Sequence, residues 1–457
     1  MKVFFLVTIG ISLSISAQTN LQNRLNKEVQ KFLSTPKGKV SNLSYFVADE
    51  KGNTIYNYQG EKGLTTASTQ KIFTAATAME LLSPSYTYTT SIFTSGDIIN
   101  QELYGDLILR GSGDPTLGSW RYQSTKPEHF LSAITAKLKD KKINTIRGDI
   151  YMDDGIFDIQ SIPGGWTWQD IGNYYGAGVF GINWRENQFD LTALGNEIIY
   201  QPMKNISWIN ELTIGGNSDQ SIIYTAPFSD FAYINGKLPA HKKMTISGAV
   251  PNPPFQLGLE LKNHLIQNGI SVLGEIRTAS MDLFSHQKKE IQNSTLLLEW
   301  KSPTMREIIY WFLKKSVNLY GESLLKTIAK EKTGNSQYAV GVDLLKKYWI
   351  SKGIPEEMIN FADGSGLSPK NYVSAKAEVL ALLYSKKQPW FDAYFKGFPE
   401  QKNGMKMKSG TMRHTKSYSG IYQAKSGKNY YFAIIINNYQ DTDLNTPLFN
   451  MLSPLKE

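Results

Sequence analysis

The sequence predicts an α+β fold whose antiparallel sheet is assembled from both ends of the chain. Three observations predict it: a helix, hairpin and helix between Leu21 and Leu82, two strand-like runs with an amphipathic tail at the far end, and a middle of different texture. In the opening, Leu21, Leu25, Val29 and Phe32 recur at helical spacing and the run stops before Pro36. Leu43 to Val47 and Thr54 to Tyr58 flank Asp49-Glu50-Lys51-Gly52-Asn53, the pattern of strand, turn and strand. Ser68 to Leu82 is helical again, and Pro84 ends it. At the other end Ser417 to Gln423 and Tyr430 to Ile436 are strand-like across a turn containing Ser426-Gly427, and Leu444 to Leu452 is amphipathic. Terminal helices covering one antiparallel sheet make an α+β domain. From about residue 87 to 290 the chain is rich in glycine, tyrosine and tryptophan with short β-like runs and one clear helix, Gln256 to Gln267, which reads as one or two inserted subdomains.

Met1-Lys2, the apolar run Val3 to Ile15 and the small residues Ser16-Ala17 describe a secretory signal peptide over residues 1–17. That run is shorter than the ~20 residues of a spanning helix. No later segment is long and apolar enough to cross a bilayer, so an exported protein of the periplasm or cell envelope is expected, soluble or peripherally attached. Cysteine is absent, which excludes both a lipid-anchored cysteine and a disulfide framework. A mature chain of about 440 residues exceeds the size at which single cores stop growing, so two or three domains are expected. The formal charge of +9 comes from lysines spread along the chain. That distribution suits a basic surface facing anionic envelope polymers, or solubility alone, rather than a nucleic-acid groove, and no nucleic-acid partner is expected.

Ser68-Thr69-Gln70-Lys71 stands where a helix begins after the loop 63–67. Residues three apart share a helix face, so the hydroxyl and the amine meet. A serine is a poor nucleophile until a base takes its proton, and lysine serves as that base only where burial or nearby positive charge favours its neutral form. A helix opening at Ser68 also points backbone N–H groups at the centre where negative charge develops. Other Ser-x-x-Lys strings fail on context: Ser34/Lys37 and Ser453/Lys456 each contain a proline, Ser285/Lys288 opens a polar stretch, and Ser323/Lys326 lies inside a helix.

Ser316-Val317-Asn318 offers a hydroxyl and a carboxamide that share one cleft if the segment is a loop or a helix start; an N-cap serine beside a solvated asparagine is the alternative. Lys408-Ser409-Gly410-Thr411 precedes the C-terminal hairpin. On an edge strand it supplies an amine and hydroxyls for a substrate carboxylate, a glycine for close backbone approach, and the Thr411 N–H for an oxyanion. Lys332-Thr333-Gly334 reads instead as a helix C-cap, and Lys425-Ser426-Gly427 as the hairpin turn.

In that order, Ser-x-x-Lys, Ser-x-Asn and Lys-Thr/Ser-Gly resemble the signature of penicillin-binding proteins and serine β-lactamases. Ala67 to Lys71, Gly111-Ser112-Gly113-Asp114-Pro115-Thr116-Leu117, Lys315 to Tyr320 and Asp363-Gly364-Ser365-Gly366-Leu367-Ser368 resemble one branch, the DacB-like D-Ala-D-Ala carboxypeptidase/endopeptidases, over nearly the whole mature chain. The 248 residues from Ser68 to Ser316 suit that branch, which inserts domains there, whereas β-lactamases keep these elements closer. The resemblance implies a serine β-lactamase/transpeptidase-like α+β domain, an antiparallel sheet flanked by helices, over 18–86 and 290–457. It implies an inserted region 87–289 of two subdomains, one nested at about 97–180.

Carried over position by position, Ser68 resembles the nucleophile and Lys71 its base, Ser316 and Asn318 the proton-relay and substrate-orienting pair, and Lys408 and Ser409, followed by Gly410 and Thr411, the carboxylate-binding strand. Val317 stands where aspartate or asparagine is common and alters local polarity; Ser409 replaces the usual threonine but keeps a hydroxyl. The implied reaction is attack by Ser68 on the carbonyl between two D-alanines of a peptidoglycan stem peptide, release of D-alanine, and hydrolysis of the acyl-enzyme. Endopeptidase cleavage uses the same steps with a longer leaving group, and β-lactam antibiotics are implied as inhibitors that acylate Ser68. A β-lactamase or esterase-like hydrolase, and a catalytically impaired peptidoglycan-binding protein, are the alternatives; Val317 keeps the latter open.

Gly176-Ala177-Gly178-Val179-Phe180-Gly181 matches a dinucleotide fingerprint formally but lacks the strand before it and the helix after it. His129, His241, His264, His286 and His414 have no metal-binding spacing, so neither cofactor nor metal is expected. Asp153, Asp154 and Asp158 suit either the amine of a diamino acid or a strand-end turn. For Trp166, Trp168, Tyr174 and Tyr175 core packing is favoured over stacking on sugars.

Overall fold

The computed structural model describes residues 19–286, 289, 291, 293–439 and 443–457; the signal peptide expected over 1–17, and Lys288, lie outside them. The chain divides into two compact units, the first made of Met1–Met79, Phe312–Ser316 and Val342–Glu457, the second of Glu80–Trp311 and Val317–Gly341.

The first unit is α+β and joins the two chain ends in one five-stranded antiparallel sheet. Its strands are β1 (Asn42–Asp49), β2 (Thr54–Tyr58), β3 (Met407–Met412), β4 (Thr415–Gln423) and β5 (Asn429–Asn437), in the order β2-β1-β5-β4-β3. β1 pairs with β5 along its whole length, from Asn42 opposite Asn437 to Asp49 opposite Tyr430. Central β5 reads as a nearly continuous apolar run, Tyr430 to Ile436, because both of its faces are covered. Four helices matter here: α1 (19–33), α2 (Lys71–Leu81), α3 (Ala375–Lys386) and α4 (Asn445–Leu452). Leu21, Leu25, Val29 and Phe32 of α1 and Leu448, Met451 and Leu452 of α4 form one core with Tyr45, Val47, Phe432, Ile434 and Ile436. Alternation along β5 turns Ala433 and Ile435 the other way, and α3 lies against β1, β4 and β5.

The helix expected from Ser68 opens differently. Ala67–Gln70 is a 3₁₀ turn, entered through a left-handed Ala67 (φ 51°), and the α-helix proper begins at Lys71. Side chains at i and i+3 eclipse in a 3₁₀ turn, so the tighter winding stacks Lys71 directly over Ser68.

The second unit holds a five-stranded and a four-stranded sheet around Leu107, Leu109, Phe130, Ile150, Trp184, Leu257 and Leu261, with the helix Pro253–Gln267 close to its expected bounds. Two three-stranded sheets built from strands between Gln188 and Ala249 form a separate core of Leu191, Ile223, Ile234 and Ile246. The helix Asn318–Thr333 belongs to this unit. It contains Ser323 and Lys326 in its interior and ends in the left-handed Gly334, as expected of a C-cap.

The acidic cluster and the aromatic string of the inserted region have a defined place in the structure. Asp154 accepts from the Ser280 N–H, Asp153 pairs with Arg110 and Asp158 with Lys326, so internal partners account for the acidic cluster. Trp168 and Tyr174, expected in a core, are exposed, because they sit on short surface turns at 168–171 and 174–176, where Asn173 and Gly176 are buried instead. Among the described residues no helix is long and apolar enough to cross a membrane, and no group of acidic and histidine side chains is arranged to hold a metal ion.

Candidate active site

Four polar side chains from three distant stretches form two couples within the first unit. Lys71 Nζ lies 2.9 Å from Ser68 Oγ, and Lys408 Nζ lies 2.9 Å from Ser316 Oγ. Both lysines are buried, while Ser68 and Ser316 are half-buried and within reach of a ligand.

The Ser68 turn is held from beneath by the loop 363–368. Lys71 donates to the Ser365 carbonyl at 2.6 Å, Gln70 Nε2 to the Asp363 carbonyl at 2.7 Å, and Thr74 Oγ1 to the Gly364 carbonyl at 2.7 Å. Asp363 organises the loop by accepting from the N–H groups of Gly366 and Ser368 and from the Asn371 amide. Gly366 is left-handed (φ 83°), and a Cβ there would stand 2.1 Å from the Ala67 carbonyl oxygen, so the loop approaches the turn more closely than any other residue permits. The sequence shows this loop as a string of resemblance; its grip on Lys71 needs the fold.

Edge strand β3 forms the facing wall. A Cβ on Gly410 would meet the Thr66 carbonyl oxygen at 2.2 Å, Ser417 Oγ at 2.3 Å and the Ser68 nitrogen at 3.0 Å. Gly410→Ala is therefore expected to push β3 away from the Ser68 turn and to destabilise the protein by about 1–3 kcal/mol in a thermal melt. Lys408 also donates to the Ser409 carbonyl at 2.8 Å, and the exposed Thr411 hydroxyl accepts from Lys416 at 2.7 Å. Burial, then the like charges of Lys71 and Lys416, hold the Lys408 amine well below its usual range; Glu378 opposes them. A poorly solvated ammonium of this kind gains most from an arriving carboxylate.

Ser316 is left-handed (φ 58°), a conformation that costs a non-glycine residue roughly 1–3 kcal/mol and that an ordinary N-cap does not need. Val317, not Ser316, occupies the N-cap of the helix Asn318–Thr333, and it offers no capping side chain. Asn318 lies in the second unit, where its amide donates to the Tyr175 carbonyl at 2.7 Å. The rejected strings have other partners: Ser323 donates to the Gly113 carbonyl and Lys326 pairs with Asp158, while Gly427 takes a left-handed turn in the β4–β5 hairpin. His414 sits exposed at the β3–β4 turn, its Nδ1 2.6 Å from the Tyr439 carbonyl oxygen.

Sequence reasoning missed Glu378, Thr69 and Ser417, which form a buried polar layer behind Ser68. Nothing in the sequence marks them, since each is an ordinary polar residue on a regular element.

The chain is similar to the D-alanyl-D-alanine carboxypeptidase of Actinomadura sp., 25% identical over 429 residues that cover 88% of this chain and 76% of that protein. It is similar to the D-alanyl-D-alanine carboxypeptidase DacB of Haemophilus influenzae, 24% identical over 472 residues, covering 96% and 92%. The fold is shared with the crystal structure of penicillin binding protein 4 (dacB) from Haemophilus influenzae, at a TM-score of 0.76 and 22% identity over 93% of this chain and 97% of that one. Residues 25–451 match the D-Ala-D-Ala carboxypeptidase 3 (S13) family, and the chain belongs to that family of serine-type carboxypeptidases.

Proposed function

We propose that the first unit is the catalytic domain and that it removes the terminal D-alanine from peptidoglycan stem peptides through an acyl-enzyme on Ser68. The observation that carries the reading is the pair of 2.9 Å contacts, Ser68 with Lys71 inside one turn and Ser316 with Lys408 across 92 positions of sequence. Ser68 Oγ attacks the penultimate D-alanine carbonyl as its proton passes to Lys71 Nζ. Burial disfavours the charged form of an amine, which is the condition for Lys71 to take that proton. Backbone N–H groups at Ser68 and Thr411 receive the oxyanion, with Gly410 allowing the close approach. Collapse breaks the C–N bond, and the departing amine takes a proton through Ser316, whose hydroxyl bonds to Lys408. Lys408 and Ser409 hold the substrate carboxylate. Once Lys71 has passed its proton along that relay to the amine it is neutral again; water then attacks the ester and gives a proton to Lys71, which returns it to Ser68 Oγ as the ester C–O bond breaks.

Cleavage of peptide cross-links by the same steps, and acylation by β-lactams, are part of this reading. Penicillin binding protein 4 of Haemophilus influenzae, which shares the fold, has been crystallised with a β-lactam. Export to the periplasm or cell envelope through residues 1–17 places the enzyme with its substrate. The test is incubation with defined muropeptides and mass analysis: loss of one D-alanine is the expected product, and unaltered peptides overturn the reading. Lys408→Ala is expected to raise KM for a carboxylate-ended peptide about ten- to a hundredfold while leaving a C-terminally amidated peptide nearly unaffected, as steady-state kinetics on the pair will read.

A further inference from the structure

Glu378 is fully buried on α3, and none of the steps above uses it. Its Oε1 accepts from the Thr69 hydroxyl at 2.6 Å, and Thr69 is the residue after Ser68. That hydroxyl also lies 3.0 Å from Ser417 Oγ, which donates to the Thr66 carbonyl at 2.5 Å. The other carboxyl oxygen stands beside the Ser419 hydroxyl, neither atom in a well-formed hydrogen bond. The carboxyl therefore holds the turn that carries Ser68 through Thr69, whose hydroxyl in turn meets β4, the strand paired with β3 and Lys408.

The ionisable groups around it come from four elements. β3 contributes Lys408, whose charge acts on Glu378 directly; Lys71 at the start of α2 and Lys416 on β4 act on Lys408 in turn. The helix Phe391–Lys396 contributes the buried Tyr394 phenol, which burial and then Glu378 push upward, and β1 adds only the Ser44 hydroxyl at the first residue of α3. Burial pushes the Glu378 carboxyl up to about 8, against the pull of Thr69, Ser419 and Lys408. Against burial, Lys71 and Lys416, Glu378 favours the Lys408 ammonium.

We propose that Glu378 is a positioning residue of this site: protonated, it clamps the Ser68 turn through Thr69; ionised, it supplies the counter-charge that keeps Lys408 an ammonium able to hold a carboxylate. This rests on the reading of Ser68 as nucleophile and Lys408 as carboxylate holder. The sign follows from the charge that Glu378 gains as pH rises, which favours the Lys408 ammonium. Below about pH 8 Glu378 carries its proton, and a glutamine approximates that form. Above it the native protein gains a negative charge that offsets deprotonation of Lys408, and glutamine cannot.

The experiment is the acylation rate of the full chain with a fluorescent penicillin across pH, for the native protein and Glu378→Gln. The variant is expected to be slower by about two- to threefold at about pH 6, with its alkaline limb moved down by about one unit, so that the deficit grows by roughly tenfold at about pH 9. Superimposed profiles, or one uniform scaling at every pH, overturn the proposal, because a merely structural role leaves the limb in place. Failure of the native protein to acylate at Ser68 would instead sink the parent reading. A second measurement needs no variant: in native protein carrying ¹³C-labelled glutamate, infrared spectra are expected to show a protonated glutamate carboxyl at neutral pH that disappears with a midpoint near 8. No such band at neutral pH overturns the proposal.

Discussion

Ser68→Ala is expected to abolish covalent labelling by a fluorescent penicillin and to lower kcat/KM for D-alanine release by ~10⁴ or more, since it removes the hydroxyl that lies 2.9 Å from Lys71 Nζ. The fold should survive. Lys71 keeps its bond to the Ser365 carbonyl, and the turn keeps its ties at Gln70 and Thr74, so a melting temperature within a few degrees of the native value is expected. Gel fluorescence after denaturation separates the outcomes. A labelled Ser68→Ala protein would mean that another residue carries the acyl group.

Lys71→Met should be nearly as damaging. Methionine matches the length of the lysine stem and fills the same space over the Phe312 ring, which lies 5.8 Å from the amine, but it accepts no proton. Loss of a positioned general base is worth roughly 10²–10⁴ in rate, and here the same amine also braces the loop 363–368, so the upper end of that range is expected. Stopped-flow acylation measures it, with kcat and kcat/KM falling together because the interaction acts in the bond-making step. Acylation of the variant at the native rate would transfer the base to another group.

The elements with strong periodicity were legible in the sequence: α1, the β1–β2 hairpin, β4, β5 and α4 all stand within a few residues of where alternation or helical spacing puts them. Backbone departures were not. Neither the left-handed Ala67, which tightens the Ser68 turn, nor the left-handed Ser316 leaves a trace in composition, because both are non-glycine residues held by their surroundings. Motif order was enough to bring Ser68, Lys71, Ser316 and Lys408 together as candidates, since the chemistry demands those residue types. The supporting layer escaped notice. α3 is buried nearly all round, so Glu378 occurs where a periodicity argument expects a solvated residue, and only burial against Thr69 and Ser417 distinguishes it. The exposed Trp168 and Tyr174 show the converse error, because aromatic richness alone does not separate a core from short surface turns.

Pairing of β1 with β5 carries a consequence for biosynthesis. A polypeptide emerging from its amino end holds Ser68 early, yet the sheet beside it lacks its middle strand until Asn429–Asn437 arrives. Such sequence-distant closure is slow compared with local folding, so the intervening region has time to mature first and the hydrolase switches on last. Any message truncated before those final codons yields an inert product.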